Sequence, residues 1–138
     1  MSPFFNHSYI QSMIGSALLS LKEYSVHTEL SIEIEGKEYV PNISVYPKRE
    51  IDLVHDIVRM TEMPLLAVEI LSPNQVTQEL IEKLEIYLNA GIRSCWLITP
   101  VMRSVTVYNE IKKPVTFGDK MIDKKLNMSF SLDEIFPF

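Results

Sequence analysis

Cysteine occurs once, at Cys95, which excludes an internal disulfide and any four-cysteine zinc site. Beside Trp96 in an apolar stretch it reads as a buried, inert thiol, and a reducing cytoplasm is the compartment expected. Glycine is scarce, with four residues, and no tract of Gly, Ser or Pro marks an interdomain linker or a low-complexity segment. No apolar run reaches the ~18 residues of a spanning helix, so no membrane association is expected. The opening MSPFFNHSYI lacks the basic region and long apolar core of a secretory leader. Positive charge is also in deficit: 13 Lys plus Arg against 18 Asp plus Glu leave a net charge of −5. That excludes a protein whose whole surface grips nucleic acid and leaves any phosphate partner to a local basic patch. What is present is 138 residues, 46% hydrophobic and 22% charged, enough to bury a core and the length of one domain, 1–138.

Apolar residues at Ile10, Met13, Ile14, Ala17, Leu18 and Leu21 keep the 3, 4 spacing of one helical face and predict a first helix. Val26 to Ile34 and Glu38 to Tyr46 read as the two arms of a β-hairpin around Glu35-Gly36-Lys37. In the second arm, the period of two puts Val40, Asn42 and Ser44 on one face. Pro47 to Met63 carries Ile51, Leu53, Val54, Ile57 and Val58 at spacings that predict a short amphipathic helix. Leu65 to Leu71 is a continuous apolar run, expected of a strand covered on both faces, with one carboxylate inside it. Val76, Leu80, Leu84 and Tyr87, widened by Ile81 and Leu88, predict a second helix that Gly91 ends. Strands follow at Cys95 to Ile98 and Val105 to Tyr108. A further short pair is expected around Val115 to Phe117 and Met128 to Leu132, and a short closing helix at Asp133 to Phe136 packs Phe136 or Phe138 onto the core. The order predicts an α/β fold, a mixed β-sheet flanked by helices.

Three residues are candidates for chemistry. Glu69 puts an ionisable group in a stretch that otherwise predicts complete burial, which either raises its pKa or requires a cation. Its plainer readings are an exposed strand end or a partner Lys or Arg. Lys83, fourteen residues later on a helix that folds back over the strand, could reach Glu69 and supply positive charge to a phosphate or polarise a water. Alternatively it forms a surface pair with Glu79. Asn42 alone signals no more than a strand-edge amide satisfying a local backbone group. His7, His27 and His55 have no ligand spacing between them. Lys112, Lys113, Lys120, Lys124 and Lys125 are the one basic concentration, a solvated face or the first place to look for DNA phosphate contacts.

Taken together, Val40-Pro41-Asn42-Ile43-Ser44-Val45, then Pro64 to Pro73 with Glu69, then Glu82-Lys83 with Tyr87, Ala90-Gly91 and Trp96-Leu97-Ile98-Thr99-Pro100 resemble a known family. The order and spacing are similar to the Uma-type restriction endonucleases of the PD-(D/E)XK superfamily. That family's pattern runs VPD, a hydrophobic strand ending EVLSPS, a Lys and a Tyr on the next helix, AGV and YWLVDP.

The resemblance implies a restriction-endonuclease-like core and metal-dependent hydrolysis of DNA phosphodiesters. It places the Mg²⁺ or Mn²⁺ ligands at Glu69, Asn42 and the carbonyl of Ile70, and the active-site lysine at Lys83. Glu69, Lys83 and Asn42 are therefore the expected catalytic residues. Asn42 stands where the family has an aspartate, losing a unit of charge, so weak or absent metal binding is expected. Glu29 on the paired strand is the acid that could compensate. Two readings stay open: a metal-dependent DNA endonuclease with a degenerate metal site, and a catalytically inactive nuclease-fold protein acting by DNA binding or protein association. A third, a small ligand-binding α/β module, predicts a closed apolar pocket. The aromatic ends, Phe4, Phe5, Tyr9, Phe136 and Phe138, make a homodimer the expected assembly.

Overall fold

A computed structural model describes residues 4–138, so residues 1–3 of the opening read for a leader lie outside the described part. Its elements are α1 (Phe5–Leu19), β1 (Tyr24–Thr28), β2 (Ile32–Ile34), β3 (Lys37–Tyr39), β4 (Ile43–Pro47), β5 (Leu66–Ile70), α2 (Thr77–Asn89), β6 (Ser94–Thr99), β7 (Ser104–Tyr108), β8 (Val115–Phe117), β9 (Lys120–Asp123) and β10 (Met128–Ser131). Six strands form the main sheet in the order β1-β4-β5-β6-β7-β8. Only β5 and β6 run parallel, as they must, because α2 is the crossover between them. The remaining pairs of that sheet are antiparallel, and no helix is long and apolar enough to cross a membrane among the described residues.

Alternation along the central strands divides the core into two layers. Ile43, Val45, Leu66, Val68, Ile70, Trp96 and Ile98 pack under α1 and the β9–β10 hairpin. Ala67, Cys95 and Leu97 point the other way, against Leu80, Leu84 and Tyr87 of α2 and against Ile32 and Ile34 of the β2–β3 hairpin. Leu80, Leu84 and Tyr87 are the i, i+4, i+7 stripe expected of α2. Gly91, at φ 106, ends it in the left-handed region.

Five expectations need correction. The predicted hairpin keeps its turn at Glu35-Gly36, but its long arms are broken. Glu29, at φ 54, turns the chain out of β1, so β1 pairs with β4 while the short β2 and β3 pair with each other. Residues 47–63 form no helix: the segment is irregular, and Ile51, Leu53, Val54, Ile57 and Val58 are exposed. Asp52 Oδ1 accepts from the N–H groups of Val54 and His55, a local turn that competes with helix formation, and the five aliphatic side chains have no surface to pack on. Met128 to Ser131 pairs with Lys120 to Asp123, not with Val115 to Phe117, which instead extends the main sheet as its edge. Val76 is exposed rather than part of the α2 stripe. The closing helix is a single 3-10 turn, Leu132–Glu134, and it is Phe136, not Phe138, that is buried behind it.

The β9–β10 hairpin is held by a polar anchor that the sequence reading did not find. Asp123 is fully buried, and its carboxylate accepts from Ser94 Oγ, from Trp96 Nε1 at 2.8 Å, from Asn109 Nδ2 at 3.1 Å and from the backbone N–H groups of Lys125 and Leu126, each at 3.1 Å. Five donors replace the water that a buried carboxylate loses. Its signal was the alternation Met121, Asp123, which puts the acid in phase with a core residue.

Candidate functional site

The expected site residues meet at the carboxyl end of β5, on the α2 face of the sheet. Ile43 pairs with Val68 across β4 and β5, and Thr28 with Ile43 across β1 and β4. One step further along the same register, Glu29, Asn42 and Glu69 fall in one row at the sheet's end. Two hydrogen bonds close that row. The Glu29 N–H donates to the Asn42 carbonyl at 3.1 Å, and the Ile70 N–H donates to Asn42 Oδ1 at 2.8 Å.

Glu69 is 3% exposed. It is neither a solvated strand end nor half of a close ion pair. Its partner is Tyr87, fully buried in α2, whose hydroxyl donates to Oε2 at 2.8 Å. Burial pushes the Glu69 carboxyl up to about 7, against the opposing pull of the Lys83 charge and the Tyr87 hydrogen bond, while the negative charge of Glu29 adds to the rise. Burial and the adjacent Glu69 in turn push the Tyr87 hydroxyl well above the ordinary phenol range. The Tyr39 ring meets the Tyr87 ring edge-on, with centroids 5.9 Å apart.

Lys83 is half-buried one turn before Tyr87, on the same face of α2. It makes no ion pair with Glu79 or with any other described acid. Glu79 itself is exposed. The site therefore brings together Asn42, Glu69 and Ile70, with Lys83 and Glu29 close enough for their charges to act on Glu69. Tyr87, quoted in the sequence pattern without a role, turns out to hold the central carboxylate. A Tyr within the apolar stripe of a helix that covers a strand bearing a buried acid was the available signal. Cys95 is buried, and burial raises its thiol pKa far above the usual range. The basic concentration lies elsewhere. Lys124 and Lys125 follow Asp123, which is bonded to Ser94 at the amino end of β6, whereas Glu69 pairs with Leu97 three residues up that strand, ~10 Å away along it.

This architecture, a mixed α/β core with a mostly antiparallel sheet between two helices, is a nuclease-like fold. The crystal structure of "a putative nuclease belonging to DUF820 from Anabaena variabilis ATCC 29413" superimposes on it with a TM-score of 0.80 at 23% identity, covering 99% of this chain and 83% of that one. The sequence pattern of the Uma2 family, described as "putative restriction endonuclease", matches residues 1–133, and the chain belongs to that family. No curated protein matches it.

Restriction-endonuclease-like proteins generally use divalent metals, and the donor set here can be tested against that need. A hard divalent cation takes oxygen ligands, preferably anionic. The amide oxygen of Asn42 carries the Ile70 N–H. Glu69 is the one buried acid of the row, and its Oε2 is held by the Tyr87 hydroxyl. No group of three His, Cys, Asp or Glu side chains is placed to hold a metal among the described residues. These residues do not fit a divalent cation as a resident cofactor.

Proposed function

We propose that this chain is a nuclease-fold protein that engages DNA phosphodiesters at the Glu69 end of its sheet and in which metal-dependent cleavage has lapsed. One observation carries the reading: the Asn42 side chain, at the position where the family has an aspartate, commits its oxygen to the Ile70 N–H, leaving Glu69 without an anionic neighbour in the row except the exposed Glu29. Lys83, half-buried on α2, acts on Glu69 as a nearby cation, which suits a phosphate. DNA is the partner that the family implies.

The test is a calorimetric Mn²⁺ titration of the wild-type protein beside Asn42→Asp, Glu69→Ala and the double variant Asn42→Asp, Glu69→Ala. The expected result is no binding by wild type up to roughly millimolar Mn²⁺, binding by Asn42→Asp, and loss of that binding in the double variant. The introduced carboxylate would accept the same Ile70 N–H and add the missing charge. Binding by wild type that Glu69→Ala abolishes would overturn the reading in favour of a working, weakened endonuclease, and cleavage of plasmid DNA would then be the next assay.

A further inference from the structure

We propose that the run Ile51 to Val58 is a docking surface for a second copy of this chain, the aliphatic side chains of each protomer entering a cavity beside α2 of the other. The observations behind it lie away from the Glu69 row and are independent of the reading of that site. Ile51, Leu53, Val54, Ile57 and Val58 are 56–91% exposed. Single exposed aliphatics are ordinary, but five within eight consecutive residues make the kind of patch that marks an interaction surface. The base of the segment is pinned, which keeps the run off its own core. Arg49 grips Glu62 through two guanidinium nitrogens at 2.9 and 2.8 Å, and Met60 exchanges backbone hydrogen bonds with Ser31 and Glu33 at 2.8 and 2.9 Å.

The same chain supplies a matching recess. A cavity of about 540 Å³ lies between the β2–β3 hairpin and the C-terminal end of α2, with Ile34, Tyr39, Met63, Ile86 and Ala90 as its apolar lining. That volume falls within the roughly 300–1,000 Å³ of sites that take a small organic ligand, room enough for two or three aliphatic side chains. Thr61 and Met63, within five residues of Val58, belong to its wall, so run and recess are neighbours on one surface. A single two-fold axis then seats each run in the other copy's recess, a closed arrangement that ends at the dimer. Residues 48–62 carry three Lys and Arg against four Asp and Glu, which offers a DNA or membrane phosphate no positive surplus. At one net negative charge, the same segment adds little to the repulsion between two chains that each carry −5.

Knob and recess carry complementary charges. Asp56 stands inside the run and Lys37 on the wall of the cavity; both are exposed, and neither forms an ion pair among the described residues. Glu33 and Glu38, the acids near Lys37 on the same hairpin, lie against Arg59 instead. In the paired arrangement Asp56 of each protomer faces Lys37 of the partner subunit, which fixes the register. The eight residues of the run and the ten that line the cavity fall just short of the roughly 20–30 a side of a standard interface, so a dissociation constant on the order of 10 µM is expected. Below that concentration the run stays in water, and substitutions there leave the fold of the single chain intact. The aromatic ends are less suited to pairing. Phe136 is buried, and the Phe138 ring is flanked by Tyr9 and Arg103 of its own chain.

The experiment is sedimentation velocity on the full chain from about 1 to 300 µM, with wild type beside Asp56→Lys, Lys37→Glu, an equimolar mixture of those two, and the double variant Leu53→Ser, Val58→Thr. Wild type should rise from 15.9 kDa toward twice that mass. Each charge reversal alone sets like charges against each other at two places and should weaken pairing about tenfold or more. The mixture should restore it, because in the mixed dimer Lys at 56 meets Glu at 37 on one side and the native pair meets on the other. The aliphatic double variant should stay monomeric throughout, and unchanged circular dichroism of every variant establishes that each folds. A wild type that remains at 15.9 kDa at the highest concentration overturns the proposal and leaves the run to a different protein. A dimer that survives Leu53→Ser, Val58→Thr overturns it by placing the interface elsewhere. A mixture no better paired than its two components overturns the seating of the run in the cavity.

Discussion

The Tyr87 hydroxyl donates to Oε2 of Glu69 at 2.8 Å, joining a helix to the strand it covers across 18 residues of sequence. Without that bond the buried carboxylate would have no side-chain donor among the described residues, and leaving a buried polar group unpaired is costly. The pair is thus both the centre of the candidate site and a liability of the fold.

Stability should fall as pH rises between about 4.5, the ordinary value for Glu69, and about 7, its value in the folded chain. The folded state holds the proton more tightly than the unfolded one, so this contribution is full below the lower value and lost above the upper. Two and a half pH units correspond to about 3 kcal/mol as an order of magnitude. Thermal melts across this window in EDTA should show the decline, and Glu69→Gln should flatten it and melt higher than wild type above pH 7. Parallel curves for the two proteins would contradict the assignment.

Tyr87→Phe should move the Glu69 titration to still higher pH, because the hydrogen bond favours the charged carboxylate. It should cost about 1–2 kcal/mol of stability in urea above that transition. A carbon-detected titration of the Glu69 carboxyl reads the first effect. A titration unmoved by the substitution would mean that the hydroxyl does not serve the carboxylate in solution.

Asp123→Ala should cost about 3–5 kcal/mol, since it strips one acceptor from five donors in a closed environment. Denaturant unfolding followed by Trp96 fluorescence would measure it. A loss below about 1 kcal/mol would show that water replaces the carboxylate easily.

Substitutions in the segment between β4 and β5 should be mild. Leu53→Ser and Val58→Thr, at residues each 91% exposed, should change stability by no more than about 0.5 kcal/mol, against about 2–5 kcal/mol for Ile43→Ala at 0%. Comparable losses at Leu53 and Ile43 in the same urea assay would mean that the segment packs in solution.

Removing Lys124 and Lys125 together should weaken DNA association less than Lys83→Gln alone. The two C-terminal lysines sit toward the opposite end of the sheet from Glu69, beside the anchor at Ser94. Fluorescence anisotropy at fixed salt compares them. The reverse ranking would place the duplex over the β9–β10 hairpin.

The readable parts of this sequence are those in which one periodicity dominates. The α2 stripe and the twin-faced β5 are specified by their own side chains, so Glu69, Lys83 and the face shared by Asn42 and Ser44 could be placed before any coordinates. The unreadable parts depend on competition between local and distant partners. Nothing in Val26 to Ile34 announces that Glu29 takes a left-handed conformation, since a Glu in a β-branched run usually continues the strand. Ile51, Val54, Ile57 and Val58 keep helical spacing, yet the Asp52 turn and the tie between Arg49 and Glu62, at 2.8 and 2.9 Å, hold the segment in another shape. Asn42 could be identified as a departure from the family pattern, but the direction of its amide is set by the nitrogen of Ile70, on another strand.

Trp96 is the one tryptophan in the chain, and its indole nitrogen bonds to a residue synthesised 27 positions later. During translation β5, α2 and β6 therefore emerge before the acceptor that completes the environment of that ring, and the core layer under α1 gains Met121, Met128 and Phe130 only when the β9–β10 hairpin arrives. Indole emission should accordingly mark a late event in refolding. A stopped-flow trace would time the docking of the C-terminal hairpin separately from the collapse that precedes it.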